Sequence, residues 1–269
     1  MRTILDKITD TKREEIANNK KCFSPEELRA KPLFSRRCHS LKKNLLDLSS
    51  SGIIAEFKQK SPSKGVINSS VMVDEVTTGY VRAGAAGLSV LTDFTFFGGS
   101  LGNLEKARIC NPETPILRKD FMIDAYQLIE SKAFGADIIL LIAACLTKDE
   151  AATLAGTAKE LGLEVLFEIH EEDELALIPP DADFVGVNNR NLKTMDVNLE
   201  TSLHLAPMIS DHFLKISESG ISDPSAILAL RAAGYQGFLI GENFMKTGDP
   251  VKACREFIMK TKESNINSV

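Results

Sequence analysis

Eight short apolar runs alternate with amphipathic stretches, behind an opening fifty residues that read as helical and polar. Together these observations predict an α/β protein: a single (β/α)8 TIM barrel with an extra N-terminal helical segment. A third observation separates the barrel from a doubly wound open sheet. Such a sheet usually carries a glycine-rich nucleotide fingerprint after its first strand, and neither GxGxxG nor a P-loop is present. No low-complexity or linker-like break divides the chain. Residues 1–50 are therefore expected to be a helical extension and residues 51–269 the barrel, within one structural domain.

The extension comes first. Ile4, Ile8 and Ile16 recur at near-helical spacing among lysines and glutamates, and SPEEL from Ser24 has the form of a capped helix start. The strand candidates follow: IIAEFK from 53, GLSVLTD from 87, PILRKDF from 115, ADIILLIAA from 136, EVLFEIH from 164, FVGVNN from 184, LKISESG from 214 and GFLIGEN from 237. Between them, segments such as DAYQLIESKAF, TKDEAATLAGTAKELG and DPSAILALRAAG carry the 3.6-residue period of helices.

Composition narrows the function. A net charge of −5 argues against nucleic acid or an anionic membrane as the main partner. The charged, amphipathic N-terminus lacks the apolar core of a secretory signal. The longest uncharged apolar run, Ile138 to Leu146, falls far short of the ~20 residues of a membrane span. Cys22, Cys38, Cys110, Cys145 and Cys254 are scattered without metal-ligand spacing, which suits reduced thiols in a cytoplasmic protein. His39, His170, His204 and His212 form no HxH or HExxH pattern, so they read as structural or surface groups, and no metal site is expected.

Chemistry gathers at the strand ends. Alternate residues of a strand share a face. Ile53, Ala55 and Phe57 therefore point one way, and Ile54, Glu56, Lys58 and Lys60 the other. Charges beside apolar walls cost several kcal/mol in general unless paired or used. The same arrangement recurs: Leu117 shares parity with Lys119, Leu166 with Glu168, and Asn188 and Glu218 close two further strands. Active sites of such barrels lie at the C-terminal ends of the strands. On the opposite face of the third strand, Arg118 and Asp120 read as a structural ion pair at the rim. Gly220 after the seventh strand, Asp223-Pro224 at a helix start, and Gly241 after the eighth suggest a phosphate seat.

The residues ILDKI, IIAEFKQKSPSKG, LSVLTDFTFFGGS, PILRKDFMIDAYQ, LEVLFEIH, VGVNNRNL, ISESGIS and FLIGENFMK run along nearly the whole chain, and with them it resembles the indole-3-glycerol phosphate synthases of tryptophan biosynthesis. The resemblance implies a carboxy-lyase that closes the pyrrole ring of 1-(2-carboxyphenylamino)-1-deoxyribulose 5-phosphate, releasing CO2 and water with no cofactor or metal. By motif, Lys119 would be the general acid at the ribulose carbonyl. Lys58 would contact the substrate carboxylate and act as acid when the hydroxyl leaves. Glu168 would stabilise positive charge or take the dehydration proton, and Asn188 would position Glu168 or a substrate hydroxyl. Glu56 would hold the lysines, and Glu218 would orient the sugar or the lysines. Lys60 would contact substrate, Ser61 and Arg190 would contact its anthranilate side, and Phe97 would pack on its aromatic ring. Ser219, Gly220, Gly241 and Glu242 would form the phosphate loops, with the Glu242 carboxylate turned away. Burial and neighbouring charge would tune the lysines to donate near neutral pH.

The implied partner is a small sugar-phosphate substrate, with the chain a monomer open to association with other tryptophan-pathway enzymes. Two rivals remain at this level: a Schiff-base-forming sugar-phosphate lyase with Lys119 as nucleophile, and a non-catalytic sugar-phosphate-binding barrel.

Overall fold

The barrel strands form where the apolar runs stand: β1 (Ile53–Phe57), β2 (Gly87–Leu91), β3 (Ile116–Lys119), β4 (Ile138–Ile142), β5 (Glu164–Ile169), β6 (Phe184–Asn188), β7 (Leu214–Glu218) and β8 (Tyr235–Ile240). The computed structural model describes residues 4–266; residues 1–3 and 267–269, which the expected extension and barrel include, lie outside the described residues. Each strand pairs in parallel with the next, and β8 closes on β1. A parallel sheet covered on both faces must be apolar on both, which explains the nearly continuous runs. Ile54, Leu117, Leu140, Leu166, Ile216 and Leu239 fill the barrel interior. Ile53, Ala55, Val90, Val165, Phe167 and Val187 face the surrounding helices. The alternation read from the sequence therefore sorts inner from outer residues correctly.

The eight units are not uniform. After β5 the chain forms only a 3-10 turn, Glu172–Leu177, because Pro179 and Pro180 follow at once and cannot continue a helix. After β1 a short antiparallel hairpin pairs residues 60–61 with 65–66, which the sequence did not announce.

The extension works at both ends of the barrel. It comprises α1 (Ile4–Cys22), α2 (Pro25–Arg29), which has the expected capping box between Ser24 and Glu27, and α3 (Leu41–Leu46). Leu41 and Leu45 of α3 are buried with the interior leucines, at the end where the strands start. The carboxylate of Glu164 fixes this plug by accepting from Ser40 Oγ at 2.5 Å and from the Leu41 amide at 2.8 Å. Helix α1 lies at the opposite end, where Ile4, Leu5 and Ile8 border the cleft.

Arg118 and Asp120 do pair, at 3.1 Å, but each is only 3% exposed, so this is not a rim contact. Helix α1 covers them and inserts Lys12, whose Nζ lies 2.9 Å from Asp120, 3.0 Å from Asp93 and 2.6 Å from Glu15. The helices α4 (Val73–Ala83), α5 (Leu101–Cys110) and α6 (Ala125–Ala133) follow β1, β2 and β3, and Arg118 also reaches Glu130 of α6 at 2.9 Å.

A second buried charge centre is Asp137, just before β4. It pairs with Arg36 at 2.6 Å and closely with Arg108, and accepts from the amides of His39 and Ile116 at 2.8 Å. Removing one member of a buried pair strands the other in a dry site. Asp137→Ala is expected to cost roughly 3–5 kcal/mol, a Tm drop of about 6–20 °C. A melt within about 2 °C of wild type would show that the arginines find other partners or water.

Candidate active site

At the C-terminal ends of the strands opens a cleft of about 540 Å³, within the range of small-molecule sites. Its centre is Lys119 at the end of β3, with Nζ 2.5 Å from Glu168 Oε2 and 2.6 Å from Glu218 Oε2. Asn188 Nδ2 donates to Glu168 Oε1 at 3.1 Å. Beside this group Lys58 pairs with Glu56 at 2.8 Å, and Ser89 Oγ donates to the second Glu56 oxygen at 3.2 Å. Thus two lysines, three glutamates and an asparagine from five strands or their immediate ends converge, as the parity argument predicted.

Electrostatics inside the group depart from expectation. Burial alone would lower the Lys119 pKa, but Glu168, Glu218 and Glu56 outweigh it and raise it above the usual lysine range. Lys119 is thus a firmly held ammonium, not a lysine tuned down toward neutrality. Burial likewise works to raise Glu168, yet Lys119 and His170 hold it well below the ordinary carboxylate range. For Glu218, burial outweighs the pull of Lys119, and Glu168 adds repulsion, so its pKa is pushed up to about 8. Two neighbouring carboxylates with divided affinities can hold one proton between them at neutral pH.

The remaining predicted residues divide. Ser61, Phe97, Arg190, Ser219, Gly220, Gly241 and Glu242 all line the cleft. Phe97 stands 6.0 Å from Phe121 between ring centroids, making one aromatic wall. Arg190 donates to the Met195 carbonyl at 3.0 Å and lies 3.5 Å from Glu242, so the Glu242 carboxylate turns to a cation. Ser219 and Gly220 are consecutive left-handed residues, at φ 66° and 78°. Gly241 faces Glu56: a β-carbon there would sit 2.6 Å from Glu56 Oε1. Lys60 does not join them. β1 ends at Phe57 and the hairpin redirects the chain, so Lys60 reaches out of the cleft to the Thr95 carbonyl at 2.9 Å.

Three contributors went unread. From the sequence His170 reads as structural or surface, yet its ring lies against Glu168, one residue past the end of β5. Gly186 leaves room for Glu218, whose Oε1 would lie 2.3 Å from an added β-carbon; it stands two residues before Asn188. Lys12 lies between Ile8 and Ile16 on the buried face of α1, a lysine in an apolar stripe.

A (β/α)8 barrel with a buried ammonium–carboxylate centre at its C-terminal mouth has the form of an acid–base enzyme's site. The sequence narrows this further. The chain belongs to the indole-3-glycerol phosphate synthase family, whose model matches residues 5–257. It is 46% identical over 258 residues to the indole-3-glycerol phosphate synthase of Bacteroides thetaiotaomicron, covering 96% of this chain and 98% of that one. It is 42% identical over 264 residues to that of Acidovorax sp. strain JS42, covering 95% and 99%. Among solved structures, the α subunit of tryptophan synthase from Legionella pneumophila superposes with a TM-score of 0.59 at 14% identity, over 84% of this chain and 98% of that one. At that identity the likeness concerns the fold alone.

Proposed function

We propose that this chain is an indole-3-glycerol phosphate synthase, converting 1-(2-carboxyphenylamino)-1-deoxyribulose 5-phosphate to indole-3-glycerol phosphate, CO2 and water. One observation supports the chemistry above others: Lys119 is clasped by Glu168 and Glu218 at the mouth, beside the Glu56–Lys58 pair. In this reading the ring carbon bearing the carboxylate attacks the ribulose carbonyl, and Lys119 protonates the carbonyl oxygen as it becomes a hydroxyl. The C–C bond to the carboxylate then breaks, its electrons restoring the ring, and CO2 leaves. Lys58 protonates the departing hydroxyl, and Glu168 receives the proton lost in dehydration.

Lys119 is a tightly held donor, so its first contribution is a charge-assisted hydrogen bond to the developing oxyanion. Glu218, 2.6 Å away and pushed up to about 8, can return a proton to it at neutral pH. The raised proton affinity of Lys119 also weighs against the Schiff-base rival, which needs a free amine. Holding the two ends of a flexible substrate in a reactive geometry can be worth roughly 7–11 kcal/mol. Phe97 and Phe121 would flank the aromatic end, and the loops at Ser219–Gly220 and Gly241–Glu242 would take the phosphate.

The direct test is the appearance of indole fluorescence from the carboxyphenylamino substrate. Borohydride added during turnover should leave no adduct on Lys119; a trapped adduct would establish the lyase reading instead.

The phosphate assignment has its own test, and the two glycines are not equivalent. Gly220→Ala adds a β-carbon at a left-handed position, 2.5 Å from Val197. It is expected to lower Tm, raise KM on the order of tenfold, and leave kcat within about threefold. Gly241→Ala drives Glu56 away from Lys58 and should reduce kcat as well. A Gly220→Ala protein that melts lower yet keeps its full product-induced Tm shift would reduce Gly220 to a turn residue.

A further inference from the structure

The chain leaves β5 at His170, whose side chain is only 6% exposed. Nε2 of the ring lies 3.3 Å from Glu168 Oε1, and Nδ1 lies 3.4 Å from Glu174 Oε2. Glu174, in the 3-10 turn, is fixed there because the same oxygen accepts the His170 backbone amide at 2.5 Å. Glu168 is therefore bracketed. Lys119 holds one oxygen, and the other faces both Asn188 and His170. Neither approach has hydrogen-bond geometry, so both are charge contacts, and only an imidazolium is attracted to the two carboxylates at once.

Other charges face the same space. Glu218 approaches from β7 and Lys119 from β3. Cys145, after β4, has its thiol pushed up to about 12, first by burial and then by Glu168 and Glu174, so it adds no charge at neutral pH. With Glu218 holding a proton at neutral pH, the carboxylates of Glu168 and Glu174 stand against one ammonium unless His170 is charged.

We propose that His170 is a positioning residue: held as an imidazolium by Glu174, it keeps Glu168 ionised and directed across Lys119 toward the substrate. This rests on the synthase reading above, in which Glu168 must accept a proton. His170 does not line the cleft; it acts through Glu168. Burial opposes its charge, but Glu168 and Glu174 outweigh burial and raise its pKa to about 9. The imidazolium is therefore present below about pH 9 and lost above it. Removing it takes a cation from Glu168, whose protonation then begins at higher pH.

The experiment measures kcat and KM by indole fluorescence across pH, with Tm at each pH, for wild type, His170→Asn and Glu174→Gln. His170→Asn should lower kcat about tenfold at neutral pH with KM within about threefold, and move the acidic limb of the kcat profile up by roughly one pH unit. Glu174→Gln should move that limb the same way by less. An active wild type whose acidic limb is unmoved in both variants would overturn the proposal. So would a fall in kcat matched by a rise in KM with the limb unmoved, since that marks a merely structural role. If His170→Asn fails to fold, the Glu174→Gln profile decides alone. A wild-type chain that forms no indole product would instead overturn the synthase reading itself.

Discussion

Replacing Lys119 with methionine is expected to cut kcat by about 10²–10⁴-fold while leaving substrate affinity within about tenfold. An acid group contributes mainly where charge develops, in the transition state, so turnover should fall far more than binding. The substitution also removes the ammonium between Glu168 and Glu218. Two buried carboxylates left together cannot both ionise cheaply, so the variant should keep their shared proton to higher pH than wild type does. Glu218 already binds its proton more tightly folded (about 8) than unfolded (4.5). Its stabilising effect is full below 4.5 and is lost as pH rises through about 8. In the variant that loss should be larger and extend to higher pH. Kinetics on Lys119→Met retaining a tenth of wild-type kcat would remove Lys119 from the acid role, whatever its melting behaviour.

Deleting residues 1–49 should abolish cooperative unfolding rather than leave a trimmed barrel. The truncation removes Ile8, Ile16, Leu28, Leu41 and Leu45, all buried. Each buried aliphatic side chain is worth about 1.5–3 kcal/mol of transfer free energy, so the sum is comparable with the whole stability of a domain. It also opens the start of the barrel by pulling Leu41 and Leu45 from the interior. At the mouth it strips Lys12 from Asp93 and Asp120, leaving buried carboxylates with less compensation. Circular dichroism of the truncated chain decides the matter. A sharp melt close to that of the full chain would make the extension an accessory.

The barrel itself was legible because parallel strands buried on both faces are short and nearly continuously apolar, and nothing else in this chain has that form. Period-two alternation then aimed Lys119, Glu168, Asn188 and Glu218 into the cleft without further information. It failed at Lys60, because parity holds only while the strand lasts and β1 ends at Phe57. Long-range pairing was out of reach. The sequence shows Lys12 among apolar residues of α1 but not that Asp93 and Asp120, on two other units, need a cation. Nor could it give the direction of the Lys119 shift, since burial and three carboxylates oppose one another and only distances decide which wins. His170 was visible in position but not in purpose, for its partner Glu174 arrives through a turn that the prolines shortened.

Consider finally the five residues from Ile116 to Asp120. Leu117 belongs to the inner packing and Lys119 to the cleft, while Arg118 and Asp120 belong to the charge network under α1. A buried charge network and the cleft are thus served by alternating positions at the end of one strand. A substitution at 118 or 120 would act on the buried charge network, and one at 119 on the cleft. For laboratory evolution this strand is accordingly two separate targets interleaved, and libraries that randomise it as a block will mostly lose both together.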